Sequence, residues 1–526
     1  MLAHKLDIQD VLKDIGFSEF ISIDLETTGL NNDKDEIIEV SAIKFINGQV
    51  DSDFTTLIKP KIEIPRQIIE LTGISNQMVS NSPFIEDILD DFLLFIDGAI
   101  IIAHNIEFDL GFIDKAVKLH SKSINIKAVC DTLLLSRSFL FTLEKFNLEY
   151  LSAYFNLKHD NAHRAQEDAL NAGKIFIELI RQMLSMPISI FSQIHQLYKQ
   201  KNVFNQYLYE RVFVFLKSAQ KNEFESILDF NLRGNVLDNT TSQNDDFSDD
   251  INLWFEDGGI LSKSWKNYHK RDVQLRFSED IYSNFNSKSI LVAEAGAGLG
   301  KSLGYLIAGL KYAKENDKKL IISTFTKTLQ EQLFYKDIPV LINSLDLNLK
   351  SIILKGKNNY ISEKKLNDIL YKDHIYVSDK EINECITLIV WSYFTQTGDV
   401  EECNGINREK ISHLWNKLSF PDITKASDYD FFSGNDYYDK VLKEIHNSDI
   451  IVINHSLLCS DIANNYSSLP EDSMLIIDEG HNFTNALKNQ LTFNISDAYF
   501  ISVFYSLKKI VLEFADNDSY SKDDLI

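Results

Sequence analysis

The segment ISIDLETTGL, residues 21–30, constrains the fold more than any other stretch of the chain. An apolar run rich in branched residues predicts a strand. Along a strand, residues two apart point to the same face. Asp24 and Glu26 therefore stand side by side at the end of the run. Neighbouring carboxylates repel and raise each other's pKa unless a cation lies between them. Their oxygens suit Mg²⁺ or Mn²⁺. The first thirty residues thus predict a strand ending in a divalent-metal site. A surface strand that happens to carry Asp-x-Glu is the plain alternative.

Two later segments narrow the choice. AIIIAHNIEFDLGFI (99–113) is an apolar strand followed by a helix start that carries Asp109. NAHRAQEDALNAGKIF (161–176) carries His163, then Asp168 five residues on, and leads into a helix with apolar positions at Leu170, Ile175 and Phe176. This ordered set resembles the DEDDh family of 3′→5′ exonucleases, the proofreading (DnaQ-like) type, over about residues 18–180. Asp24 and Glu26 match its first motif, Asp109 its second, and His163 with Asp168 its third. The resemblance implies a ribonuclease-H-like mixed sheet with flanking helices. It also implies two divalent ions that activate water and stabilise the leaving oxygen. Asp24 would bridge the ions, Glu26 and Asp168 would complete the nucleophile side, and Asp109 would hold the other ion. His163 would take the proton from the attacking water, a task for a group titrating near neutrality. The backbone of Thr27–Leu30 would abut the terminal nucleotide, with Leu30 as a wedge.

The second half carries a different signature. SILVAEAGAGLGKSLGYLIAGL (289–310) predicts an apolar strand, a glycine-rich turn and a helix, the setting a phosphate loop needs. Gly298, Gly300, Lys301 and Ser302 form its GxGKS core, although Ala295 stands where the strict pattern has glycine. Backbone N–H groups at the helix N-terminus suit phosphates. MLIIDEGHN (474–482) predicts a strand ending in Asp478 and Glu479. This half resembles the DinG/XPD branch of superfamily 2 helicases, and STFTKTLQEQL (323–333), DIIVINHSLL (449–458) and YHKRDVQ (268–274) add to the match. It implies a RecA-like parallel α/β domain that binds ATP. Lys301 would reach the β- and γ-phosphates, Ser302 and Asp478 Mg²⁺, Glu479 the water, and Arg271 with Gln274 the adenine. The fusion of two such halves is a recognised arrangement in Gram-positive bacteria.

The expected organisation is therefore α/β throughout. An exonuclease domain spans 1–180, a helical connector and acidic linker 181–250, and an ATP-binding domain 251–526 with an insertion at about 360–445. GNVLDNTTSQNDDFSDD (234–250) reads as the flexible part of the linker.

Two departures from the helicase pattern matter. Iron–sulfur members of that branch hold a cluster on four thiolates in the insertion. Here the insertion has only Cys385 and Cys403, so no iron–sulfur cluster is expected. The sequence also reaches Ile526 soon after the DEGH box. A second RecA-like lobe needs on the order of 100 residues. The expectation is a chain that binds ATP without unwinding duplex DNA alone.

Net charge is −24, which argues against a general electrostatic grip on nucleic acid but leaves local basic grooves possible. No apolar run has the ~18 residues of a membrane span. The four cysteines form no CxxC pair, and the N-terminus has no signal-peptide pattern, so a reducing cytoplasm is expected. The leading function is a metal-dependent exonuclease on single-stranded 3′ ends, DNA favoured over RNA, releasing nucleoside monophosphates. Two alternatives stand beside it: an ATP-driven helicase with an auxiliary nuclease, and a nuclease regulated by ATP binding. Oligomeric state is not legible.

Overall fold

A computed structural model describes residues 7–158, 163–198, 203–218, 232, 234–237, 250–265, 268–296, 298–345, 347–371, 377–408, 411–420, 436–463, 468–492 and 504. Most of the acidic linker segment, 238–249, lies outside them. The chain divides into two compact units, one of residues 1–234 with 357–440, the other of 235–356 with 441–526.

The first unit is built on a five-stranded sheet. Its strands are β1 (Glu19–Thr27), β2 (Ile37–Ile46), β3 (Gln49–Leu57), β4 (Ile100–Ala103) and β5 (Ala128–Asp131). Their order is β3-β2-β1-β4-β5. β1 pairs antiparallel with β2 and parallel with β4, and β5 continues parallel to β4. β4 is apolar and buried at every position, as a strand covered on both faces must be. The helix Ala165–Leu184 crosses β1 and β2, with Phe176 edge-on to Phe20 at 5.4 Å. It approaches closely because Gly173 has no side chain, and a Cβ there would lie 2.4 Å from the Phe45 ring. The helices Ile188–Tyr198 and Gln206–Ser218 bury Phe191, Tyr198, Tyr209 and Val212 in the same core.

The insertion also belongs to this unit. Cys385, Trp391 and Trp415 share one continuous hydrophobic core with Phe139, Phe141 and Phe191. The Ser138 and Thr387 hydroxyls hydrogen-bond at 2.9 Å, and the Gly405 N–H donates to the Phe141 carbonyl at 3.2 Å. A segment expected as part of the second half is thus packed into the first. Burial pushes both the Cys385 and Cys403 thiols well up from their ordinary range.

The second unit holds β6 (Val236–Leu237), β7 (Lys319–Thr324), β8 (Ser351–Ile353), β9 (Ile450–Asn454) and β10 (Ser473–Ile477) in the order β10-β7-β9-β8-β6. All neighbours run parallel except β6, which is antiparallel to β8. The apolar strand expected at 289–296 does not form. Ile290 and Val292 are 94% and 92% exposed. A strand persists only where a neighbour takes up its backbone N–H and C=O groups. No described residue pairs with this run, and β10 ends the sheet with Leu475 half-exposed. Among the described residues, no single helix is long and apolar enough to cross a membrane.

Candidate active site

The carboxylates expected at the metal site converge. Asp24 and Glu26 lie two apart near the end of β1, and Asp168 enters from the first turn of the helix Ala165–Leu184. One oxygen from each lies within 4.8 Å of the others. Asp109, in the first turn of the helix Ile106–Leu119, is buried and accepts the Leu25 N–H at 3.1 Å. Its carboxylate therefore reaches the same strand end from behind. The left-handed backbone of Asn105 (φ 72°) makes the sharp turn from β4 into that helix.

The electrostatics suit a bound cation. Burial, then Asp109, Asp168, Glu26 and Glu39, hold the Asp24 carboxyl well above the usual carboxylate range. Burial, Asp168 and Glu39 push Glu26 up to about 8, with Arg164 opposing. Asp109 is also raised, chiefly by burial, although the Leu25 N–H opposes. Clustered acids this close repel strongly at neutral pH. Arg164, the guanidinium that opposes the shift at Glu26, is already paired with Glu39 at 2.7 Å. Hard oxygen donors without a counter-charge fit a divalent cation. Asp24, Glu26 and Asp168, with Asp109 behind them, are the residues able to hold it.

His163 lies apart from this cluster. It is exposed, its backbone is left-handed (φ 65°), and it follows 159–162, which lie outside the described residues. No described contact joins its ring to the carboxylates.

Glu39 and Arg164 are the residues that motif reading missed. Glu39 is the cross-strand partner of Glu26 and is 2% exposed. Two Arg164 nitrogens, Nε at 3.2 Å and Nη2 at 2.7 Å, donate to it, and the Ala165 N–H does so at 3.0 Å. This clamp fixes the start of the Asp168 helix against β2. An acid within the apolar IIEVS run, and an Arg directly after His163, were the available signals. The Thr27–Leu30 turn is fastened by Asp35, whose carboxylate accepts from the Thr28 hydroxyl at 3.2 Å, and Leu30 stands 87% exposed.

In the second unit, Gly298 and Gly300 take left-handed backbone at φ 79° and 81°, and Lys301 opens the helix Lys301–Asn316. Lys301 Nζ lies 3.0 Å from Glu479 Oε1. Tyr305, not singled out from sequence, donates to Asp478 Oδ2 at 3.1 Å and also hydrogen-bonds Ser302. Arg271 donates to the Gly298 carbonyl, and Gln274 to that of Gly300 at 2.8 Å. The glycine turn, Lys301, Ser302, Asp478 and Glu479 are thus gathered, with Arg271 and Gln274 gripping the turn itself.

The exonuclease family model (RNase_T) matches residues 21–176. A curated relative, the "3'-5' exonuclease DinG" of Bacillus subtilis, is 33% identical over 485 residues, 90% of this chain and 50% of the relative. That of Staphylococcus epidermidis is 30% identical over 502 residues, 94% of this chain and 52% of the relative. The chain spans about half the length of the curated relatives it matches. A solved structure of exonuclease X in complex with 5′ overhanging duplex DNA aligns at 23% identity and TM-score 0.25, covering 31% of this chain and 90% of that one.

Proposed function

We propose that this chain, which carries an exonuclease domain over 21–176 and is homologous to the DinG 3′–5′ exonucleases along nine-tenths of its length, is a metal-dependent 3′→5′ exonuclease. The observation that carries the reading is the convergence of Asp24, Glu26 and Asp168 oxygens within 4.8 Å, in a partly buried site whose neighbouring guanidinium, Arg164, is paired with Glu39. Two Mg²⁺ or Mn²⁺ ions, when bound there, supply an activated water and charge stabilisation at the leaving oxygen. The chain's own groups do the rest. Asp24, Glu26, Asp109 and Asp168 hold the ions. The Arg164–Glu39 clamp keeps Asp168 in line with them. His163 swings in to accept the proton of the attacking water at an imidazole nitrogen. The Thr27–Leu30 turn abuts the terminal nucleotide, with Leu30 against its base. The substrate is a single-stranded 3′ end, DNA favoured, and the products are nucleoside monophosphates formed in the cytoplasm.

The second unit is read as a RecA-like lobe that binds ATP at Gly298, Gly300, Lys301 and Ser302, with Asp478 and Glu479 on its Mg²⁺ and water. The gathering of these groups around Lys301 supports ATP binding. Arg271 and Gln274 hold the turn that cradles the phosphates.

The test uses an oligonucleotide labelled on its 3′-terminal nucleotide, with Mn²⁺, with and without ATP. The label should leave in the first turnover as a nucleoside 5′-monophosphate. Release of longer labelled fragments, or removal starting at the 5′ end, would overturn the reading.

A further inference from the structure

A groove of about 540 Å³ opens near the carboxylates, lined by His104, Arg137, Lys145, Phe146 and Asn147 among others. That size falls in the ~300–1,000 Å³ span of ligand pockets. Strand register fixes its place. β1 and β4 run parallel with Ser22 opposite Ile102, so two residues on, Asp24 stands level with His104. β4 and β5 pair Ala103 with Asp131, which puts Thr132 level with His104 in turn. Strands lie ~4.8 Å apart. The groove therefore begins about one strand away from Asp24, at the same end of the sheet.

The wall is held in place from two sides. His104 is half-buried, its Nδ1 lies 2.9 Å from the Thr132 hydroxyl, and its ring also hydrogen-bonds the Phe146 carbonyl. Behind the same wall stands the insertion. The Phe141 carbonyl accepts from Gly405, the Thr142 carbonyl from Asn404 at 3.3 Å, and the Phe141 ring faces Phe394 at 6.4 Å. A Cβ on Gly405 would lie 2.1 Å from the Arg137 carbonyl oxygen. The wall is chemically distinct in so acidic a chain. It presents Arg137 and Lys145 with a single acid, Glu144, beside them. Neither cation takes part in an ion pair among the described residues. On the opposite flank of the cluster, Arg164 is already paired with Glu39.

We propose that this groove holds the one or two nucleotides next to the 3′-terminal nucleotide, with their phosphates at Arg137 and Lys145 and a base on the Phe146 ring. The inference rests on the exonuclease reading and deepens it. A strand whose terminal phosphodiester sits at the carboxylates extends to neighbouring phosphates, and the groove offers cations and an aromatic face at that reach. Base–aromatic stacking tolerates any sequence. The insertion, joined by chain to the ATP unit at both of its ends, backs this wall and so bears on how the nuclease grips its strand.

The test compares a dinucleotide, a tetranucleotide and a dodecanucleotide as substrates for the full chain, in wild type and in an Arg137→Ala/Lys145→Ala variant. In wild type, KM falls as the strand lengthens from two to four nucleotides. In the double variant about tenfold of that gain is lost. The slope of log KM against log salt falls by about 1.4, at roughly 0.7 for each phosphate contact on a single strand. Lys145→Ala alone, at an exposed position, gives about half of that slope change and keeps the test open should Arg137→Ala impair folding. Variants with the wild-type length dependence and salt slope overturn the groove. Failure of wild-type enzyme to shorten any of the three oligomers overturns the exonuclease reading itself, and the groove with it.

Discussion

Replacing Glu26 by Gln should make the metal-free protein more stable at pH 8 while destroying its activity. The Glu26 carboxyl is pushed up to about 8 from an ordinary 4.5, first by burial and then by Asp168 and Glu39. Between those two values the folded protein holds a proton that the unfolded chain has released. Stability must therefore fall as pH rises through that window. At ~1.4 kcal/mol per tenfold change, the full penalty is about 5 kcal/mol, and partial exposure of the side chain reduces it to roughly 2–5 kcal/mol. Glutamine keeps the shape and cannot ionise, so the variant escapes the penalty. At ~2.1 cal/mol/K of unfolding entropy per residue, each kcal/mol moves the Tm of this unit, residues 1–234 with 357–440, by about 1.5 °C, which gives a rise of about 3–8 °C. The assay is a thermal melt in EDTA at pH 5 and pH 8. At pH 5 the wild type still holds most of its proton and the two proteins should melt together. At pH 8 the variant should melt higher. Added Mg²⁺ should raise the wild type and move the variant much less. Equal melting of the two in EDTA at pH 8 would refute the claim that the acids repel one another in a buried site.

Other outcomes follow from particular contacts. Gly173→Ala would press a methyl toward Phe45 and Ser22, and should cost about 1–3 kcal/mol, read as a lower denaturant midpoint. Arg164→Met strands the buried Glu39 carboxylate, and should cost about 1–3 kcal/mol once the guanidinium's exposure is allowed for, while slowing digestion. An unchanged midpoint and rate would remove the clamp from the account. Lys301→Ala should weaken binding of a fluorescent ATP analogue at least tenfold and leave digestion of single strands in place, because Lys301 faces Glu479 and not the carboxylate cluster.

The carboxylate cluster was legible where its chemistry is written in local spacing. Strand periodicity alone put Asp24 and Glu26 on one face, and motif order supplied Asp109 and Asp168. Glu39 was not legible, because its role depends on register. It stands opposite Glu26 only when β2 folds back on β1, and it meets Arg164 only when the Asp168 helix crosses both strands. The insertion escaped for a similar reason. Cys385, Trp391 and Phe394 have the helical spacing of any core helix, and nothing in that spacing tells which core receives them. The run at 289–296 failed in the other direction. Its apolar branched residues carry strand propensity, yet propensity does not form a strand without a paired neighbour.

The central claim is that the carboxylates of Asp24, Glu26, Asp109 and Asp168 and their divalent ions remove nucleotides from a 3′ end. It is tested most directly by timing the shortening of a 5′-labelled single-stranded oligonucleotide in Mg²⁺ and in EDTA, with wild type beside Asp24→Asn. The account predicts a descending ladder in wild type with Mg²⁺ alone. Digestion that survives either EDTA or loss of the Asp24 charge would contradict it.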